Sequence, residues 1–332
     1  MRILVFTNMY PFKEIPYYGI FIQQQVESLR KLGLEVDVLF INGRKSKLEY
    51  FKAPFLLLKY FKKKKYDIIH AHHTYCAFIG LFLKKNVPLL LTFHEGEFFY
   101  KGNYLERIKK MGFFKSIFLS NFLKRYILQK VDHIITVYAD KEKFRSIPRN
   151  KLSVIPPGVD LNLFRPLPKE IARAKLGISL YKKIILFPAD PERKEKRYDK
   201  ARLVIELLNK EGISVELLSL GGVPYHKVPL YINAADVVLL TSDFEASPMV
   251  VKESMACNIP IVAPDVGDIK ELFDNLEGYF LVEDDVSAIC EGVKRALNFI
   301  GQANGRSKII EKGLDVASIA LQIKEVYEKY KN

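Results

Sequence analysis

Residues 233–268 read NAADVVLLTSDFEASPMVVKESMACNIPIVAPDVGD. Val237 to Leu240 form a short apolar run rich in β-branched residues, as expected of a strand buried on both faces, and Ile259 to Ala263 form a second. Between them lie an acidic loop and a short helix. The stretch is therefore a βαβ unit of a parallel sheet, whose ligands sit beyond the C-terminal ends of the strands. Ser247 is placed as the helix N-cap and Pro248 as its first residue, where the missing proline N–H costs nothing.

Two carboxylates frame this junction. Glu245 falls in the loop before the helix and Glu253 about a turn and a half inside it. The amides of Met249, Val250 and Val251 at the open end of the helix suit an anion such as a diphosphate. Acidic side chains beside an anion site make sense if they accept hydrogen bonds from sugar hydroxyls. A sugar nucleotide offers both groups. Two glutamates eight apart also occur on solvated helices, so the weight rests on the flanking strand–loop–helix–strand order.

Glu245 and Glu253, followed by SMACNIPIVAPDVGDIKEL, resemble the paired-glutamate motif of family 4 glycosyltransferases, which have the two-domain GT-B fold. The resemblance implies that Glu253 grips the nucleotide ribose, that Glu245 contacts the donor sugar, and that Ser247 and the three amides meet diphosphate and sugar. It covers nearly the whole chain, most strongly residues 150–285.

The composition agrees with a soluble globular protein of one large or two ordinary domains: 332 residues, 49% hydrophobic and 27% charged. Cys76, Cys257 and Cys290 have no CxxC spacing, which speaks against a disulfide framework or a zinc site and fits a reducing cytoplasm. MRILVF has too short an apolar run for a signal-peptide core and is read as a first strand. Lysines interrupt every run that approaches membrane-spanning length. The net charge of +14 is uneven. Residues 1–150 carry 27 Lys+Arg against 12 Asp+Glu, a balance of +15, and the remainder 25 against 26. An anionic partner of the N-terminal half follows, whether lipid headgroup, glycan or nucleic acid, with plain surface solvation as the alternative. No RNA-recognition motif is present.

In the N-terminal half, residues 2–6, 34–41, YDIIHAHHT (66–74), VPLLLTFHEGE (87–97) and VDHIITVY (131–138) are expected strands, with helices over 20–32 and 53–65. Gly19, in the loop after the first strand, occupies the position of the family's phosphate-approaching glycine loop or is a plain turn glycine. His70, His72 and His73 end one strand; one histidine inside and the others capping or exposed accounts for them without a metal. His94, Glu95 and Glu97 lie beyond another strand end. By resemblance His94 is the first catalytic candidate, close to the donor sugar and leaving diphosphate, with an interdomain structural role as the alternative. Residues 105–130 combine Phe114, Phe118, Phe122 and Tyr126 with Lys109, Lys110, Lys115, Lys124 and Arg125, a pattern of either a membrane interface or a core-packed helix, with core packing expected beyond Leu119.

IPPGVDLNLFRPLP reads as the interdomain connection. The domains are set at residues 1–165 for the acceptor, 166–314 for the nucleotide sugar, and 315–332 as a C-terminal helix that packs back on the first domain. Arg193 and Lys196, after the strand KKIILF, match the family's diphosphate-binding Arg and Lys at a shorter spacing, with Lys194 and Arg197 as alternatives. The expectation is an α/β protein of GT-B fold, two doubly wound Rossmann-like sheets facing a cleft. The resemblance implies a metal-independent, retaining enzyme without a cofactor, taking a UDP- or GDP-sugar and a glycan or lipid-linked acceptor. It would work in the cytoplasm, at most peripheral to an anionic membrane. A sugar-nucleotide epimerase, a phosphorylase, or a basic binding protein with a vestigial cleft are the other readings.

Overall fold

The computed structural model describes residues 1–84, 86–94, 121–138 and 144–331. The chain forms two compact units, Met1–Pro157 rejoined by the segment from Ala317, and Gly158–Val316. The division falls ahead of Arg165 because residues after Pro157 are tied into the second unit. Val159 exchanges backbone hydrogen bonds with Leu314 and Val316, and the Arg306 guanidinium reaches the carbonyls of Leu161 and Phe164.

The first unit is built on six parallel strands: β1 (Arg2–Thr7), β2 (Glu35–Phe40), β3 (Ile68–His72), β4 (Leu89–Phe93), β5 (His133–Thr136) and β6 (Leu152–Val154), in the order β2-β1-β3-β4-β5-β6. Alternation assigns Leu4, Phe6, Ile69, Ala71, Leu89, Leu91 and Ile134 to one face. That face packs with α2 (Leu48–Lys63), α3 (Thr74–Leu83) and α4 (Asn121–Lys130), while α1 (Ile20–Lys31) connects β1 to β2. Helix α2 starts earlier than expected and runs through Pro54. The proline leaves the Tyr50 carbonyl without its usual helical donor, and the Tyr75 hydroxyl of α3 donates to it. In α4, Ile127 and Leu128 enter the core and Tyr126 faces outward; the stretch before residue 121, with Glu95 and Glu97, lies outside the described residues.

The second unit holds α5 (Lys169–Leu176), β7 (Lys183–Phe187), α6 (Tyr198–Lys210), β8 (Val215–Ser219), α7 (Val228–Ala234), β9 (Val237–Leu239), α8 (Met249–Ala256), β10 (Ile261–Pro264), α9 (Ile269–Phe273), β11 (Tyr279–Val282), α10 (Val286–Leu297) and α11 (Gly305–Glu311). Its parallel strands are ordered β11-β10-β9-β7-β8. Ile185, Phe187, Val237, Leu239 and Val262 pack against α6 and α10 on one face. The opposite residues, Ile184, Leu186, Val238, Ile261 and Ala263, are fully buried as well, which explains the unbroken apolar runs in the sequence.

The last helix, α12 (Val316–Glu328), returns to the first unit. Its Tyr327 is fully buried and bonds His70 of β3, while Tyr330 just beyond it bonds His133 of β5.

Candidate active site

In both sheets the chain reverses its winding direction once, between β1 and β3 in the first unit and between β7 and β9 in the second. A crevice forms outside the carboxyl ends of strands at such a reversal. In the second unit the loops there are 188–197, after β7, and 240–248, after β9. They are stitched together: the Thr241 hydroxyl donates to the Lys196 and Arg197 carbonyls at 2.9 and 3.0 Å, and the Asp243 amide donates to the Glu195 carbonyl at 3.1 Å.

This stitching brings Lys196 onto Glu245. The ammonium donates to Oε1 of Glu245, which also accepts the Ser242 hydroxyl at 2.7 Å, and both charged side chains are largely shielded from solvent. Of the neighbouring cations, Arg193 points outward to Glu195, and Arg197, in a left-handed conformation, is clamped by Asp199 and Asp243. Of the cations of this loop, Lys196 is the one placed on Glu245.

Glu253 is buried in α8, and its Oε1 accepts the Tyr225 hydroxyl at 2.8 Å. Burial pushes its carboxyl up to about 7, against the opposing pull of that hydrogen bond and of Lys252. The helix begins one residue later than expected. Pro248 is the N-cap, and Ser247 does not cap because its hydroxyl donates to Asp268 while accepting from the Lys252 ammonium at 3.0 Å. The Val251 amide turns back to the Pro248 carbonyl at 3.2 Å, which leaves Met249 and Val250 to open the helix.

Lys252 is fully buried, and burial draws its ammonium down to about 8. Asp268 is pushed above the usual carboxylate range by the same cause, and its Oδ1 is buried without a hydrogen-bond partner among the described residues. The turn that carries Asp268 needs a glycine. Gly267 has φ +63°, and a Cβ there would stand 2.3 Å from the Ala246 carbonyl oxygen, so the turn packs directly on the Glu245–Ala246 loop. Sequence reading passed over Tyr225, Lys252 and Asp268. Only the lysine beside Glu253 in a helix with no exposed face carried a signal.

In the first unit Gly19 opens α1 with φ +69°, and a Cβ there would meet the Met9 carbonyl carbon at 2.6 Å. Its close contact is thus with its own loop. The next turn places Phe21 edge-on to His94, ring centroids 5.1 Å apart, and His94 Nε2 lies 3.1 Å from His72 Nδ1 with the rings stacked. His70 is held between the Tyr327 and Thr92 hydroxyls, both at 2.6 Å. His73 caps α3 by accepting the Tyr75 amide at 3.1 Å. Two histidines are therefore inside rather than one. Burial drives His70 down to about 3 and His133 to about 4, and holds His72 well below its ordinary value. All three are neutral at physiological pH.

Two parallel α/β units, one of which carries carboxylates, a lysine and a helix opening at its switch point, agree with a GT-B glycosyltransferase, the class that comparison with known proteins gives. Residues 5–163 match the family described as Glycosyltransferase Family 4, and residues 199–314 that described as Glycosyl transferases group 1. The chain belongs to the family 4 glycosyltransferases and is an enzyme of that class. It is 24% identical, over 89% of each chain, to TuaC of Bacillus subtilis (strain 168), which carries the provisional name of a teichuronic acid biosynthesis glycosyltransferase. Its fold is similar to that of sucrose-phosphate synthase from Thermosynechococcus elongatus, with a TM-score of 0.73 at 19% identity over 99% of each chain. It is similar also to HepE of Anabaena in complex with UDP, with a TM-score of 0.65 at 17% identity over 99% of this chain and 100% of that one. Neither an epimerase, a phosphorylase nor a non-catalytic binding protein is favoured by these relatives.

Proposed function

We propose that the enzyme is a retaining glycosyltransferase that moves a sugar from a UDP- or GDP-linked donor to a glycan or lipid-linked acceptor. The observation that carries this reading is the shielded Lys196–Glu245 pair at the loops after β7 and β9, the second of which leads directly into α8 with its buried Glu253. In this reading Glu253 accepts the ribose hydroxyls and Glu245 meets the donor sugar. Lys196 and the amides of Met249 and Val250 receive the diphosphate, with Arg193 turning inward from Glu195 to join them, and their positive charge stabilises it as it leaves, in place of a divalent ion. HepE has been solved with UDP and with UDP-glucose, which supports beginning with uridine donors. The name of TuaC, which speaks of teichuronic acid biosynthesis, supports a glycan acceptor. The first unit would bind that acceptor, and the enzyme would work from the cytoplasmic side. Among the described residues no helix is long and apolar enough to cross a membrane.

A panel of UDP- and GDP-sugars tested for thermal stabilisation decides the donor, because a ligand at a hundred times its dissociation constant contributes about 2.7 kcal/mol. No stabilisation by any of them sinks the reading. With a donor in hand, the anomeric configuration of the product tests retention, and unchanged rates in a chelator test metal independence. His94→Ala should lower turnover about 100-fold while donor affinity stays within a few fold, the mark of a contact made mainly in the transition state. Full specific activity in the folded variant would make His94 structural.

A further inference from the structure

Helix α2 carries its core contacts on one side, through Ala53 and Leu57 with Tyr50, Leu56, Tyr60 and Phe61 beside them. The opposite side is not polar. Leu48, Phe51, Phe55 and Leu58 follow one another at three- and four-residue steps and are 65, 70, 75 and 37% exposed. A helix of a water-soluble domain presents polar residues on that side. Elsewhere, large apolar side chains such as Tyr181 and Ile300 are exposed without forming such a stripe, which is ordinary for a protein surface.

The stripe is edged by cations. Lys62 continues it by one turn, Lys52 and Lys59 lie along one border, and exposed lysines stand at both ends, Lys45 and Lys47 before the helix and Lys63 to Lys65 at and beyond its last turn. Counting residues 44–65 gives nine Lys+Arg against a single acid, Glu49, a balance of +8. Glu49 is taken by Lys52, and Asp37 by Lys64. Large exposed apolar residues rimmed by basic ones are what a helix needs to lie in a bilayer interface, the rings among the acyl chains and the ammonium groups at anionic headgroups.

The geometry points to α2 as a membrane-docking helix that seats the first unit on an anionic lipid surface. The charge decides for lipid over a second copy of the chain, since two such faces brought together would set their lysines against each other. The inference gives purpose to the lipid-linked acceptor of the proposed function and rests on that reading only for its biological sense; the docking itself is a property of the surface.

The chain has no tryptophan, so Phe55→Trp installs a single reporter on the stripe. Mixed with vesicles of phosphatidylcholine and phosphatidylglycerol at 3:1, its emission should shift to the blue and become quenchable by brominated acyl chains, with little change on pure phosphatidylcholine. The wild-type chain should sediment with the anionic vesicles and detach in high salt. Phe51→Ser with Phe55→Ser should reduce that partition at least tenfold, and Lys59→Glu with Lys62→Glu should do the same. These side chains are exposed, and circular dichroism with donor-induced stabilisation checks that the variants remain folded. Unquenched, unshifted emission, or sedimentation that survives both double substitutions, overturns the proposal. A concentration-dependent dimer that Phe51→Ser with Phe55→Ser dissolves, without vesicle binding, overturns it in favour of self-association. Donor binding is read separately, so loss of docking and failure of the glycosyltransferase reading give different results.

Discussion

The two sheets share one wiring and differ in where they keep their ionisable groups. In the second unit β9 and β10 are apolar on both faces, and a cluster of charges stands at and just beyond the carboxyl ends of the strands, in Lys196, Glu245, Lys252, Glu253 and Asp268, while Arg173 and Asp236 pair at the amino end of β9. The first unit carries His70, His72 and His133 inside the sheet itself, all buried and neutral, with Tyr327 of α12 bonded to His70 and Tyr330 just beyond the helix bonded to His133. A switch point alone does not make a charged site. The loops after β7 and β9 hold their charges in fixed pairs, because the Thr241 hydroxyl and the Asp243 amide tie the two loops together through the carbonyls of residues 195–197. Among its described residues, the sheet of the first unit holds its buried polarity in neutral histidines, where hydrogen bonding rather than charge survives burial.

The largest effect that would break this contrast is at Lys252. Lys252→Met leaves Asp268, already raised by burial, without its nearby cation and strips the Ser247 hydroxyl of a donor. The expected loss is about 3 kcal/mol of stability by urea denaturation, most of it returned by adding Asp268→Asn. A loss under ~1 kcal/mol would mean that the buried charges of the second unit are not coupled. Next in size, Glu253→Ala should weaken donor binding by roughly 1.5 to 3 kcal/mol with the fold intact, the worth of a charge-assisted hydrogen bond. Unchanged nucleotide affinity in a folded protein would remove the assignment of Glu253 to the ribose.

On the first unit the contrast predicts acid sensitivity. The pKa of His70 is lower folded than unfolded, so the unfolded chain takes up a proton that the folded one refuses. Stability is then level above about pH 6.5 and falls as the pH drops below it, by about 2 kcal/mol at pH 5 for this histidine alone. His70→Gln should flatten the curve by that amount between pH 7 and 5. Parallel curves for variant and wild type would show that His70 is not the neutral buried group described.

The order of elements was readable because each carries its own periodicity. Continuous apolar runs marked β7, β9 and β10, and glycines at left-handed positions, as at Gly33 after α1, marked where helices end. The pair Glu245 and Glu253 was readable from the same local pattern. What escaped depends on contacts distant in sequence. The start of α2 was hidden by Pro54, which is tolerated because Tyr75 fills the vacated carbonyl. The role of Ser247 was misread because its hydroxyl goes to Asp268, 21 residues on, rather than to its own helix. Arg173 of α5 gave no warning that it is fully buried, donating to the carbonyls of Ala234 and Lys182 and to Asp236. Hydrophobic pattern names the strand or helix, but the partner of a polar side chain is set only when the sheet brings two loops together.

The smallest and sharpest test concerns the protonation of Glu253. Its carboxyl is raised above the unfolded value to about 7, so the donor-free protein is increasingly protonated there below that pH. A protonated carboxyl keeps less acceptor capacity and no charge for ribose hydroxyls, so donor affinity should be steady above pH 8 and fall about tenfold between pH 8 and 6, about 1.4 kcal/mol. Tyr225 donates to the charged form and holds the pKa down. Tyr225→Phe should therefore move the midpoint of this decline to higher pH while leaving its slope at one proton, and calorimetry in two buffers of different ionisation enthalpy should record the extra proton released on binding near neutrality. A midpoint that stays in place in Tyr225→Phe would detach the tyrosine from the carboxylate, and an affinity independent of pH from 6 to 8 would place Glu253 away from the bound nucleotide.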